Sequence, residues 1–158
     1  MKFLLSVLVV WVSLLSAPAI AQDFDSGLAA AERGDYETAL KVWRVLAKKG
    51  DSEAQYYLGS MYDRGLGIQQ NYAEAAKWYL RAAQRGDADA KNNLGALYIN
   101  GNGVPQDYVQ ALMWFLLAAT EGSPSAAENR DFTAKQMTPD DLAKAEKLAE
   151  QWRKKHRR

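Results

Sequence analysis

From Ala54 onward the apolar residues fall three and four positions apart. Ala54, Leu58, Met61 and Tyr62 form one stripe, and Tyr72, Ala75, Tyr79, Ala82 and Ala83 form a second. Spacing near 3.6 puts each stripe on one side of an α-helix. Between them runs a polar, glycine-rich segment, YDRGLGIQQNY (62–72). The whole arrangement returns thirty-six residues later: SEAQYYLGSMYDRGLGIQQNYAEAAKWYLRAAQRGD (52–87) lies over ADAKNNLGALYINGNGVPQDYVQALMWFLLAATEGS (88–123), with 14 of 36 positions identical. A fixed period of this size predicts stacked units that bury their apolar stripes against one another. The expected fold is all-α, an α/α superhelical solenoid of about four antiparallel helix pairs, in units of about 24–51, 52–87, 88–123 and 124–152.

The helix ends are marked by residues that suit them. Gly-Asp occurs at 34–35, 50–51 and 86–87, and Gly-Ser at 122–123. Glycine closes one helix in the left-handed conformation, and the following Asp or Ser accepts from the free amides of the next. Asn71 and Asp107 stand where the second helices begin. The first unit is shorter: a helix near Phe24 to Arg33 reaches GDYETALKVWRVLAKKGD (34–51) by a tight Gly-Asp turn, without the long glycine loop. Ser123-Pro124 opens a seventh helix. Thr138, Pro139 and Asp141 form the cap, first residue and capping box of an eighth, whose charged outer face suits a solubilising end cap.

The two loops, YDRGLGIQQNY (62–72) and YINGNGVPQDY (98–108), contain G-x-G, a pattern that can cradle phosphate beside a helix. A dinucleotide fingerprint needs a third glycine, where Gln70 and Gln106 stand, and a strand rather than a helix before it. No Gly-Lys-Ser or Gly-Lys-Thr run follows either. The glycines therefore read as joints of the repeat, and no nucleotide or other cofactor is expected.

Composition sets the compartment. Lys2, the apolar run Phe3–Leu15 and the small-residue site Ala19-Ile20-Ala21 after Pro18 have the three parts of a secretory signal, with cleavage expected after Ala21. Thirteen helical residues span only about 20 Å, against roughly 30 Å for a bilayer core, which disfavours a membrane anchor. The expected location is periplasmic or secreted. The chain has no cysteine, which excludes a lipoprotein anchor, disulfides and thiolate metal sites. Residues 22–152 carry 14 Lys and Arg against 19 Asp and Glu, while the end, RKKHRR (153–158), carries five formal positive charges.

The pattern AxxxLGxxYxxGxGVxxDYxxAxxWxxxAAxxG, complete in 90–122, resembles the Sel-one-like repeat, a relative of the tetratricopeptide repeat. The unit at 54–86 differs by Ile68 for Val and Asn71 for Asp. The resemblance covers nearly all of 22–152, including the closing MTPDDLAKAEKLAEQW, which is similar to the end segment of bacterial exported members. It implies a scaffold that binds proteins or peptides on the face lined by the first helix of each pair. By position, that face would present Glu53, Tyr56, Ser60, Asp63 and Arg64 in one unit, and Asp89, Asn92, Ala96, Ile99 and Asn100 in the next. These positions differ between repeats whose neighbours match.

Catalytic constellations are scarce. His156, near the end, is the only histidine, and no Ser-His-Asp, Cys-His or S-x-x-K arrangement exists. A cysteine-rich branch of the same family has been linked with β-lactams, but its disulfide pairs have no counterpart here. Glu128 and Asp131 share a helix face, and Asp140 and Asp141 are adjacent; the latter read as first-turn acids favouring a helix N-terminus. Trp43, Trp78, Trp114 and Trp152 recur near the repeat period and read as packing residues. Tyr56 and Phe132 lie off that pattern and are candidate interface anchors. The tail residues Arg153, Lys154, Lys155, Arg157 and Arg158 suit the dipole of the last helix or a weak contact with an anionic membrane. The reading is an exported scaffold for an unidentified protein or peptide, without catalysis, metal or nucleic acid. The alternatives are a peptidoglycan-binding or hydrolytic envelope protein and a membrane-surface adaptor.

Overall fold

The computed structural model describes residues 19–156, with side chains from Asp23 onward. The run Phe3–Leu15 and the last two arginines lie outside the described residues. Eight helices and no strand occur among them: α1 (Ala19–Glu32), α2 (Tyr36–Lys49), α3 (Ser52–Arg64), α4 (Tyr72–Gln84), α5 (Ala88–Asn100), α6 (Tyr108–Thr120), α7 (Pro124–Ala134) and α8 (Pro139–Lys155). The fold is the expected helical-repeat solenoid. α1 starts ahead of Phe24, so Ala19-Ile20-Ala21 forms its first turn.

Caps fix the boundaries. Asp35, Asp51, Asp87, Asn71 and Asp107 each accept an amide of the first helical turn, at 2.7 to 3.1 Å. Thr138 accepts the Asp141 amide and donates its hydroxyl to the Asp141 carboxylate. Ser123 departs from expectation and makes no such cap. Its hydroxyl is buried and lies against that of Ser125, 3.3 Å away, while Pro124 supplies no N–H.

Each first helix packs on its own partner and on the second helix of the unit before it: α3 on α4 and α2, and α5 on α6 and α4. Within each of the first three pairs a glycine is set against an aromatic ring. Gly27 faces Trp43, Gly59 faces Tyr79 and Gly95 faces Phe115, each with room for no side chain of its own. This corrects the register of the tryptophans. Trp43 is the counterpart of Tyr79 and Phe115, whereas Trp78 and Trp114 occupy a different repeat position.

The glycine loops also join units. A Cβ on Gly67 would strike the backbone of Tyr36, and one on Gly103 the backbone of Tyr72 and Ala73. Each loop therefore lies against the start of the preceding unit's second helix, a contact only glycine allows. Gln70 and Gln106 close the loops from within, donating to the carbonyls of Asp63 and Ile99 at 2.7 and 2.8 Å.

The fourth pair is not built like the others. α8 packs on α6 instead of closing against α7. α7 buries only Ala126 and Thr133, too small a seam to hold a partner, whereas α6 is apolar nearly all round. Ala145 and Ala149 of α8 are buried, and the Trp152 ring meets Trp114 edge-on at 4.6 Å. The helix also runs past the expected end of the domain, taking in Arg153, Lys154 and Lys155. His156 is held against the helix end: its ring stacks on Trp152 at 3.8 Å, and Nδ1 lies 2.9 Å from the Trp152 carbonyl.

Candidate functional site

Counting from the glycines that face the rings, equivalent positions on α1, α3, α5 and α7 can be matched. Leu28, Ser60, Ala96 and Phe132 form one row. Phe24, Tyr56, Asn92 and Glu128 form another, beside Tyr57, Asn93 and Asn129. The second row ties units together. Phe24 meets the Tyr57 ring edge-on at 5.6 Å, and Asn129 donates to Asn92 Oδ1 at 2.9 Å. The contact changes from aromatic to polar along the solenoid.

Several candidates from sequence therefore serve the scaffold as well as its surface. Tyr56 is half-buried between Tyr57 and Tyr79, with ring centroids at 5.3 and 6.0 Å. Asn92 is engaged by Asn129. Asp63 accepts the Tyr79 hydroxyl at 3.1 Å, and burial raises the pKa of both groups. Asn100 donates back to the Ala96 carbonyl of its own helix. Ala96 and Ile99 are half-buried. Ser60 and Arg64 line a cavity of about 270 Å³ that opens between α1 and α3 over Leu28, Tyr36 and Tyr57. Phe132 continues the Leu28–Ser60–Ala96 row and is 66% exposed. It is thus on the repeat pattern, a placement hidden in the sequence because α7 keeps none of the LGxxY signature.

Sequence reasoning missed a second hollow, of about 400 Å³, between the starts of α3 and α5. Tyr56 and Tyr57 line it together with Glu53, Asp87, Asp89 and Arg85. Burial, and then the neighbouring Asp51, Asp87 and Asp25, push the Glu53 carboxyl up from its ordinary range. The Tyr56 and Tyr57 hydroxyls are pushed up by burial and by the same cluster of acids. Asp51 and Asp87 were visible in the sequence as caps, but not as members of this cluster.

The acidic pair Glu128 and Asp131 does not assemble into a catalytic arrangement. Asp131 binds Arg130 at 2.8 Å, and that partner holds its carboxyl below the usual range. Among the described residues, no three His, Cys, Asp or Glu side chains come together in a way that could hold a metal.

The repeat model that matches residues 52–87 and 88–123 is that of the Sel1 repeat. The chain carries two Sel1 repeats. Such repeats generally act as protein-binding scaffolds. A protective antigen of uropathogenic Escherichia coli with an SLR fold superimposes with a TM-score of 0.82, at 33% identity over 87% of this chain and 30% of that one. A Sel1 repeat protein from Oxalobacter formigenes gives a TM-score of 0.66, at 31% identity over 69% of this chain and 45% of that one. Cysteine rich protein B of Helicobacter pylori shares the fold at a TM-score of 0.55 and 19% identity, over 70% of this chain and 93% of its own. The rat DAP3-binding cell death enhancer 1 is 42% identical over 45 residues, which are 28% of this chain and 9% of that protein. The chain thus spans a small part of the rat protein and less than half of the two bacterial structures with higher TM-scores.

Proposed function

We propose that this Sel1-repeat chain is an exported adaptor that binds a protein or peptide along the face of α1, α3, α5 and α7, without chemistry of its own. The observation that carries this reading is the hollow at Tyr56 and Tyr57, where aromatic surface lies beside Glu53, Asp87 and Asp89. Crowded, partly desolvated carboxylates gain from an incoming cation, and tyrosine supplies apolar area at low entropic cost. A lysine- or arginine-bearing segment fits that chemistry. The exposed Phe132 extends the same face as an apolar anchor. Export rests on the apolar segment and small-residue site at the start of the chain.

The test is capture of a partner from an envelope extract by the mature chain, compared with a variant carrying Glu53→Lys and Asp89→Lys. Both side chains are exposed, so the fold should survive. A defined protein retained by the native chain and lost from the variant supports the reading. Equal retention by both contradicts it.

A further inference from the structure

Gln55 lies one residue before Tyr56 but faces the other way. It is 4% exposed, and its Nε2 donates to the Ala47 carbonyl in the last turn of α2 at 3.1 Å. Its Oε1 is buried without a partner. Flipping the amide would set oxygen against the Ala47 carbonyl, so the acceptor must be the free atom. A buried acceptor left unpaired is costly and rare, and calls for an explanation.

Gln55 lines a pocket of about 620 Å³ formed by the ends of α2 and α4 and the start of α3, with its unpaired oxygen buried at the base. Lys48 and Lys49 enter from α2, and Arg81 and Arg85 from α4; no carboxylate is among the lining residues. The pocket has a counterpart one repeat later, and the comparison is informative. There Lys91 stands for Gln55 and Glu121 for Arg85, and the Lys91 ammonium, 3% exposed, is neutralised by the Glu121 carboxylate. Trp152, Arg153 and His156 of α8 close that later pocket. One repeat thus satisfies the buried polar position from within. The other replaces both members of the ion pair, leaving an open hollow with several cations over a buried, unpaired acceptor.

We infer that this pocket binds an acidic segment of a partner protein. Lys48, Lys49 and Arg85 take its carboxylate, and Gln55 Oε1 accepts an N–H from the same segment. The site adjoins the tyrosine-lined hollow, with Arg85 between the two, and Lys48, Lys49 and Arg81 give it the opposite charge. A second copy of this chain would not supply the ligand through its basic last turn, because like charges would meet.

The probe is a fluorescein-labelled hexaglutamate peptide, followed by anisotropy at low salt, with hexaglutamine as its neutral counterpart. Hexaglutamate should bind at least about tenfold more tightly, and binding should shift the Gln55 side-chain amide resonances. Two variants test the residues. Gln55→Lys with Arg85→Glu copies the ion pair of the next repeat and should weaken binding about tenfold or more while keeping the helical spectrum. Lys48→Glu with Lys49→Glu, on exposed positions that do not line the tyrosine hollow, should do the same. The inference is overturned if hexaglutamine binds equally well, if the Gln55 resonances stay put, or if the lysine variant binds like the native chain. It is also overturned if inorganic phosphate displaces the peptide at equal charge concentration, which would make the pocket a simple anion site.

Discussion

Phe115 lies so close to Gly95 that a methyl group on that glycine would stand 2.6 Å from the ring. The relationship repeats at Gly59 with Tyr79 and at Gly27 with Trp43, and it sets how near the two helices of a pair approach. Alanine at position 95 would gain about 1 kcal/mol of helix propensity, but overpacking against a rigid ring costs about 1–3 kcal/mol or more. Gly95→Ala should therefore destabilise the chain by about 1–2 kcal/mol in urea unfolding. Combined with Phe115→Leu, the loss should be smaller than the sum of the single losses.

The loop glycines make a second, independent demand. Gly103 has φ 69° and lies against the backbone at Tyr72 and Ala73, whereas Gly86 has φ 98° with nothing within 4 Å of a would-be Cβ. Both alanine variants carry left-handed strain of about 1–2 kcal/mol, but only Gly103→Ala also pushes two units apart. Its unfolding midpoint should fall further than that of Gly86→Ala. Equal midpoints would remove the loop from the inter-repeat contact.

Lys91 and Glu121 form the buried ion pair of the third unit, with the lysine 3% and the glutamate 38% exposed. Removing the carboxylate strands a buried cation, so Glu121→Ala should cost about 2–3 kcal/mol, somewhat less than for a fully buried pair. Lys91→Met, which removes the charge and keeps the volume, should be close to neutral. Chemical denaturation of the two variants side by side tests this asymmetry.

Stability should depend on pH through Asp63. Burial raises its pKa above the ordinary carboxylate value, so the folded chain holds a proton that the unfolded chain has released. Between the unfolded and folded pKa values the native state binds more protons, and stability from this group rises as pH falls. Glu53 and Asp87 are raised in the same direction. Asp63→Asn keeps an acceptor for the Tyr79 hydroxyl and should flatten this part of the profile above the ordinary carboxylate pKa. An unchanged slope would show that Asp63 is not the source.

The repeat, its helices and most caps were legible in the sequence because each depends on local spacing or on one residue type at a helix end. What escaped depends on contacts between units. The G-x-G loop was readable as a joint, but not its seat on Tyr36 and Tyr72, which needs the neighbouring unit in place. Trp43 and Trp78 looked like one series because both are tryptophans. Only the glycine each approaches, or does not, separates them. The fold of α8 onto α6 was hidden because its stripe suits either neighbour, and α7 offers too little apolar surface to win. At the candidate face, variation between repeats pointed to surface positions. It could not reveal that Asn92 also ties neighbouring units together, or that Tyr56 and Asp63 pack against Tyr79 within their own unit.

The central claim is that the face of α1, α3, α5 and α7 is where a partner lies. A photo-crosslinking residue placed at Ser60 or Ala96, compared with the exposed Lys77 on α4, tests this most directly in intact cells. The account predicts one defined protein adduct from positions 60 and 96 and none from position 77. An adduct from position 77 alone, or the same adduct from all three, would contradict it.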